Sequence, residues 1–132
     1  MKKLILFGAS NFGDEIVQLF RDINKVSHTP QWDIIGFLDD NLEVIGKVRN
    51  GVPVLGTKEW ITKNDISEIY FVCVIGNPKI KAKVVHYLKT NGAKFASGIH
   101  PSVIISETSI VGEGTVITAG NILTTNIKVG NH

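Results

Sequence analysis

The sequence predicts an α/β chain in which a parallel-sheet domain, residues 1–98, is followed by the start of a left-handed parallel β-helix, residues 99–132. Two observations predict this architecture. Short apolar runs alternate with helical patterns in the first part, and hydrophobic residues recur every six positions in the second. The composition, 43% hydrophobic and 20% charged residues, is typical of a packed core rather than of disorder.

The first strand is predicted over Lys3 to Phe7, an apolar run without alternation, as in strands that are buried on both faces. Gly8 to Gly13 interrupt this run, and we expect a helix to begin right after them. The apolar residues of that helix recur at helical spacing: Ile16, Val17, Leu19, Phe20 and Ile23.

The middle of the chain carries a second strand, a hairpin and a short helix. The second strand, "WDIIGFLDD", ends at Asp39 and Asp40. Asn50-Gly51 lies between apolar runs, which predicts a two-residue hairpin. Thr57 is expected to cap a short helix through Trp60.

A third core strand, "SEIYFVCVIG", precedes a second long helix. Asn77 is predicted as its N-cap, Pro78 as its first residue and Asn91-Gly92 as its end. The segment "AKFAS" predicts a fourth strand. Strands that alternate with helices favour a parallel sheet with right-handed crossovers.

Three turns fall at the carboxyl ends of these strands, where parallel sheets bind ligands. They are Gly8–Gly13, Asp39-Asp40 and Gly76-Asn77-Pro78. The first resembles the Rossmann-type fingerprint Gly-x-Gly-x-x-Gly, with Ser10 in the place of the second glycine. We therefore predict a Rossmann-like domain with three ligand-facing turns.

Each turn has a functional and a purely structural interpretation. The first turn and the helix after it favour a phosphate-bearing ligand, although a tight connection that binds nothing has the same pattern. Asp39 is placed to accept hydrogen bonds from ribose hydroxyls, or it forms a turn with Asp40 and Asn41. Asn77 is interpreted as a helix cap, and a ligand contact is the alternative.

The last 34 residues repeat with a six-residue period, which predicts hexapeptide turns of a β-helix. The residues four positions after an anchor are mostly small, as tight corners require: Val103, Ser109, Thr115, Asn121 and Ile127. At about three hexapeptides per coil, residues 99–132 supply fewer than two coils. We expect either another chain to cover the open coil or the sequence to be a fragment. The anchors are Ile99, Ile105, Val111, Ile117, Leu123 and Val129.

Composition and charge argue against several classes. A net charge of +2 with no basic stripe does not favour nucleic-acid binding, and "KIKAK", Lys79 to Lys83, is interpreted as a solvated helix face that could also help to hold an anion. No apolar run approaches the ~20 residues that span a bilayer. Cys73, the only cysteine, is predicted as a small buried side chain, and with no secretion signal the chain is expected to be cytoplasmic. The four histidines and Cys73 form no metal-ligand pattern.

Several segments together resemble a known family over essentially the whole chain. They are "LILFGASNFGDEIVQLF", "IIGFLDDN", "GVPVLG", "CVIGNPKIKAKVVHYLKTNGAKFASGIHPSVII" and the hexapeptides, in this order. The chain is similar to the sugar O-/N-acetyltransferases of the sialic acid O-acetyltransferase type, which include UDP-amino-sugar N-acetyltransferases.

The resemblance implies a nucleotide-sugar site in the first domain, for a UDP-amino sugar or CMP-sialic acid. It also implies a homotrimer of β-helices in the full-length form, with acetyl-CoA as donor between neighbouring β-helices and no metal. Asn11 departs from the glycine usual at its position, which implies a stiffer turn and a weaker phosphate contact. The implied substrate-binding positions are Gly8, Ala9, Ser10, Gly13, Asp39, Asp40, Gly76 and Asn77.

The catalytic histidine of the family is expected beyond His132, whose own register does not fit that role. His100, next to Pro101, is interpreted as structural. We therefore expect this chain to supply the acceptor-binding part of an acetyltransferase, to be inactive alone and to trimerise weakly. The alternatives are a stand-alone nucleotide-sugar-binding or regulatory module and an NAD(H)- or CoA-binding domain, which Ser10 argues against.

Overall fold

The structure, a computed structural model, describes residues 1–102 and, beyond them, the two-residue strands 104–105, 110–111, 116–117, 122–123 and 128–129. The elements of the first part are β1 (Lys2–Phe7), α1 (Asn11–Val26), β2 (Trp32–Leu38), a 3₁₀ turn (Leu42–Val44), β3 (Val48–Arg49), β4 (Val52–Gly56), α2 (Trp60–Lys63), β5 (Ile69–Cys73), α3 (Pro78–Thr90), β6 (Lys94–Phe95) and β7 (Gly98–Ile99).

Six of these strands form one sheet in the order β3-β4-β2-β1-β5-β6. Every neighbouring pair is parallel except β3 and β4, which are antiparallel. This confirms the predicted α/β class. The parallel pairing of β4 with β2 was not predicted, because the hairpin signal at Asn50-Gly51 says nothing about which further strand the hairpin joins.

Side chains of the central strand β1 are buried on both faces of the sheet. Leu4 and Leu6 belong to the core under α1, whereas Ile5 and Phe7 belong to the core under α3. All four are at most 2% exposed. This is the two-sided burial that an uninterrupted apolar run predicts for a parallel strand.

Two predicted helix starts are wrong. Helix α1 begins at Asn11 rather than after Gly13, because Ser10 acts as its N-cap and its Oγ accepts a hydrogen bond from the Gly13 amide at 3.3 Å. Helix α2 spans only Trp60–Lys63 and is not capped by Thr57. The Thr57 hydroxyl instead donates to the carboxylate of Glu59, the residue that precedes the helix.

The hairpin and α3 follow the sequence prediction. Asn50 and Gly51 both adopt positive φ angles, 52° and 77°, which a two-residue hairpin of the mirror-image type requires. Asn77 Oδ1 accepts hydrogen bonds from the amides of Lys79 and Ile80, Pro78 is the first helical residue, and α3 ends before Asn91.

Beyond β6 the chain forms three pairs of parallel two-residue strands. Gly98 pairs with Val116, Ile104 with Ile122 and Ile110 with Lys128, a separation of 18 residues in each pair. Each of these six strands ends on one of the anchors predicted from the six-residue period. The predicted corner residues and His132 lie outside the described residues. The six strands are β7 and then β8 (Ile104–Ile105), β9 (Ile110–Val111), β10 (Val116–Ile117), β11 (Ile122–Leu123) and β12 (Lys128–Val129).

Candidate functional site

A cavity of about 290 Å³ opens where β1, β2 and β5 end at the carboxyl edge of the sheet. All three predicted turns contribute to it, through Gly8 and Ser10, through Asp39 and Asp40, and through Gly76. The volume lies just below the ~300–1,000 Å³ range of small-molecule sites, so it suits part of a ligand rather than a whole nucleotide sugar.

Three consecutive backbone amides of the first turn have no hydrogen-bond acceptor among the described residues. The amides of Gly8, Ala9 and Gly13 donate to Leu38 O, Asp39 Oδ2 and Ser10 Oγ. Those of Ser10, Asn11 and Phe12, by contrast, have no acceptor in the part of the chain that the structure describes. All three residues are exposed. Because the positive end of the α1 dipole lies at the same place, this turn favours an anion.

The carboxylates of the second turn hold the turns together. Asp39 Oδ2 accepts a hydrogen bond from the Ala9 amide at 2.9 Å, which ties the first turn to the second. Its Oδ1 accepts from the Asn41 amide at 2.9 Å, and Asp40 Oδ1 accepts from the Lys58 amide at 3.1 Å. Each carboxylate oxygen can accept more than one hydrogen bond. Asp39 therefore forms the turn and still has acceptor capacity at the cavity.

An apolar wall completes the cavity, and sequence reasoning missed it. Val74 and Ile75 follow β5, and Ile80 and Val84 lie on α3, with Phe7 at the base. Ile80 is 51% exposed although it is a large apolar residue. It lies within the stretch Lys79 to Lys83 that was predicted to be a solvated face, and its place among lysines hid its contact with the cavity.

Three predicted site residues do not line the cavity: Ala9, Gly13 and Asn77. Ala9 is 7% exposed, and Asn77 uses its side-chain oxygen to cap α3. A Cβ at Gly13 would lie 2.4 Å from Gly8 O and 3.0 Å from Phe37 Cε1. Gly13 therefore allows α1 to pack closely on the sheet.

Arg49 is a second feature that sequence reasoning missed. It belongs to β3, and its guanidinium contacts Asp14 and Asn11 in the first turn of α1. Nothing in the sequence pattern places residue 49 beside residue 14, because the contact depends on how the hairpin joins the sheet.

None of the three histidines that the structure describes lines the cavity. His100 Nε2 is 2.8 Å from Asp22 Oδ2 on α1, and its Nδ1 accepts from the Ser102 amide at 3.1 Å. These contacts fit the structural role predicted for His100. Within the described residues, no group of three or more His, Cys, Asp or Glu side chains is arranged to hold a metal ion. Nor does any helix in that part combine the length and apolar character that a bilayer crossing needs.

Comparisons with known proteins place the chain in a family. The model of the PglD N-terminal domain matches residues 3–88, and the chain belongs to this family. The chain is 27% identical over 125 residues to GDP-perosamine N-acetyltransferase of Escherichia coli O157:H7, covering 95% of this chain and 55% of that protein. It is 29% identical over 128 residues to UDP-N-acetylbacillosamine N-acetyltransferase of Bacillus subtilis (strain 168), covering 90% and 52%. The chain thus spans about half the length of these curated relatives.

Solved structures agree with this assignment. The acetyltransferase domain of PglB from Neisseria gonorrhoeae FA1090, in complex with acetyl coenzyme A, is 26% identical with a TM-score of 0.73, over 98% of this chain and 62% of that one. PerB from Caulobacter crescentus, in complex with CoA and GDP-perosamine, has a TM-score of 0.81 over 99% of this chain and 58% of that one. At 18% identity, the second likeness concerns the fold alone.

Proposed function

We propose that this chain forms the acceptor-binding part of an acetyltransferase that transfers an acetyl group from acetyl-CoA to the amine of a nucleotide sugar. The cavity at the carboxyl edge of the sheet carries the proposal, because a turn with free backbone amides, two carboxylates and an apolar wall meet there. The family and two N-acetyltransferase relatives support the reaction class. Acetyl-CoA in the PglB acetyltransferase domain supports the donor.

Each part of the cavity suits a different part of a nucleotide. The phosphates belong at the first turn, where three free amides and the α1 dipole offset negative charge. They cannot lie beside Asp39 and Asp40, which would repel them, whereas ribose hydroxyls can donate to these carboxylates. The apolar wall around Ile80 and Val84 suits the flat face of a base.

Ser10 offers a test of the phosphate position that leaves the helix cap intact. Asp and Asn are both good N-caps, so Ser10→Asp and Ser10→Asn differ mainly in one negative charge. We expect Ser10→Asp to weaken binding of UDP and GDP at least tenfold, measured by calorimetry, and Ser10→Asn to change it by less than threefold. Equal affinities for the two variants would contradict a phosphate at this turn.

We further propose that residues 1–98 form the nucleotide-sugar domain and that residues 99–132 begin a left-handed β-helix. The 18-residue separation of the paired strands supports this, since it equals about three hexapeptides per coil. Sedimentation equilibrium would test the homotrimer implied for the full-length form. A full-length protein that stays monomeric at all concentrations would contradict it.

A further inference from the structure

Arg49 reaches the N-terminus of α1 from a different element, the strand β3. Its Nε donates to Asp14 Oδ1 at 3.1 Å, and its Nη2 donates to Asp14 Oδ2 at 2.7 Å and to Asn11 Oδ1 at 3.3 Å. A guanidinium has five N–H donors, so these contacts use three. The two on Nη1 have no acceptor among the residues that the structure describes.

Because Asp14 lies at the N-terminus of α1, an anion site there needs a positive charge beside it, which Arg49 supplies. Its carboxylate lies in the first turn of α1, where it benefits from the helix dipole but would repel a second anion. The bidentate contact with Arg49 neutralises that charge. The helix end can then accept a phosphate while Asp14 remains in place.

The same contacts hold the guanidinium in a fixed position beside the free amides. Asn11, which accepts from Arg49 through its side chain, also carries one of the three unpartnered amides of the first turn. Arg21 Nη2 donates to the backbone oxygen of Asn50, the turn residue that follows Arg49, and this contact is separate from those of the guanidinium of Arg49. The side chain of Arg49 is 32% exposed, so it is only partly covered by the rest of the chain.

We propose that Arg49 is a binding residue for the diphosphate of the nucleotide sugar, which it contacts through Nη1, and that Asn11 and Asp14 are positioning residues for it. This inference rests on the proposed function and adds a residue to that site. It also assigns a role to Asn11, because a side chain at this position, where glycine cannot accept a hydrogen bond, provides the third contact to Arg49.

The test compares nucleoside diphosphates with the matching nucleosides. Calorimetry would measure UDP and GDP, and ligand-observed NMR would measure uridine and guanosine, for the wild type, Arg49→Ala, Asp14→Asn and the double variant. Arg21→Ala is the matched control, since it removes a contact of the same hairpin away from the first turn. Circular dichroism would establish that each variant folds.

We expect Arg49→Ala to weaken binding of the diphosphates at least tenfold and binding of the nucleosides by less than twofold. The double variant should bind the diphosphates more tightly than Arg49→Ala, because the repulsion from Asp14 is gone, but still more weakly than the wild type, because the Nη1 contact is missing. Arg21→Ala should bind like the wild type. Recovery of wild-type affinity in the double variant would overturn the proposal, because Arg49 would then act only by neutralising Asp14. An equal loss for nucleosides and diphosphates would overturn it as well. A wild type that binds no nucleotide would refute the proposed function itself, a separate result.

Discussion

Gly98 lies where the chain leaves the sheet and enters the paired strands, and it is packed against α1. A Cβ at this position would lie 2.7 Å from Cζ and 3.0 Å from Cε1 of Phe20. Phe20 is fully buried and makes an edge contact with Trp32, with ring centroids 5.5 Å apart, so it has little room to move. Any side chain at residue 98 must therefore displace part of the core.

We expect Gly98→Ala to lower the free energy of unfolding by about 1–3 kcal/mol, the usual effect of overpacking a core. Chemical denaturation would measure it. Gly76→Ala is the control, because a Cβ there meets nothing within 4 Å. A Gly98→Ala protein as stable as the Gly76→Ala protein would mean that Phe20 can move aside.

Asp22 accepts two side-chain hydrogen bonds that contribute to the stability of the chain in acid. Hydrogen bonds from Gln18 and then His100 hold the pKa of Asp22 below its ordinary value of 3.8. A lowered pKa means that these contacts stabilise the fold at higher pH and that this stabilisation disappears as the pH falls through the lowered pKa.

Asp22→Asn should therefore be less stable than the wild type at neutral pH and should lose less on acidification. Thermal unfolding between about pH 6 and pH 2.5 would measure both effects. The control is Asp33→Asn, which removes an exposed carboxylate on β2. If the melting temperatures of Asp22→Asn and the wild type fell equally over this range, the ionised carboxylate of Asp22 would contribute nothing to the stability of the fold.

At the scale of the elements, the N-cap of α3 links helix stability to the cavity. Asn77 Oδ1 accepts from two amides, at 3.0 Å from Lys79 N and 3.2 Å from Ile80 N, so it fixes the first turn of α3, which carries one residue of the apolar wall. Thr57, by contrast, caps no helix.

Asn77→Ala should cost about 1 kcal/mol of stability, the usual effect of losing a cap. Asn77→Ser, which keeps an acceptor, should restore most of this loss, and Thr57→Ala should cost less than Asn77→Ala. Urea denaturation would rank the three variants. A Thr57→Ala effect as large as that of Asn77→Ala would contradict the assignment of the two caps.

Elements with strong local signals could be predicted from the sequence. The prediction of the hairpin depends on Asn50-Gly51, and α3 has both a capping residue and a stop signal. Contacts elsewhere in the fold therefore did not alter either element. The start of α1 was misplaced because Gly13 was interpreted as part of a turn. In the structure, its small size serves packing against Gly8 and Phe37, and Ser10 is the cap.

At the scale of the whole molecule, Cys73 reports how often the fold opens. The thiol is 4% exposed, and burial raises its pKa, although an Ile75 backbone hydrogen bond and Lys81 act in the opposite direction. A thiol reagent reacts with the thiolate, so a buried thiol with a raised pKa reacts only when the core opens.

Labelling of Cys73 in the native protein should thus be slow and should follow global unfolding. A nucleoside diphosphate that binds only the folded chain should slow it, about a hundredfold at a hundred times the dissociation constant. Labelling in denaturant with and without the nucleotide is the control. Rapid native labelling that nucleotide does not change would show that the strand bearing Cys73 opens locally.

The candidate site was predicted only in part, and for a physical reason. Gly8, Ser10, Asp39, Asp40 and Gly76 lie at strand ends, and a parallel sheet brings such ends together whatever the rest of the fold does. The apolar wall and Arg49 depend on the rotation of α3 and on the pairing of β4 with β2. Local sequence patterns contain neither.

The constant separation of 18 residues between paired strands limits which changes in chain length evolution can accept. Loss of one residue between Val111 and Val116 would shorten the separation in all three pairs at once. Loss of one between Ile105 and Ile110 would spare only the pair of β9 with β12, because that deletion precedes both strands. Since a one-residue slip turns every side chain of a strand to the opposite face, insertions and deletions should be tolerated here only in whole turns.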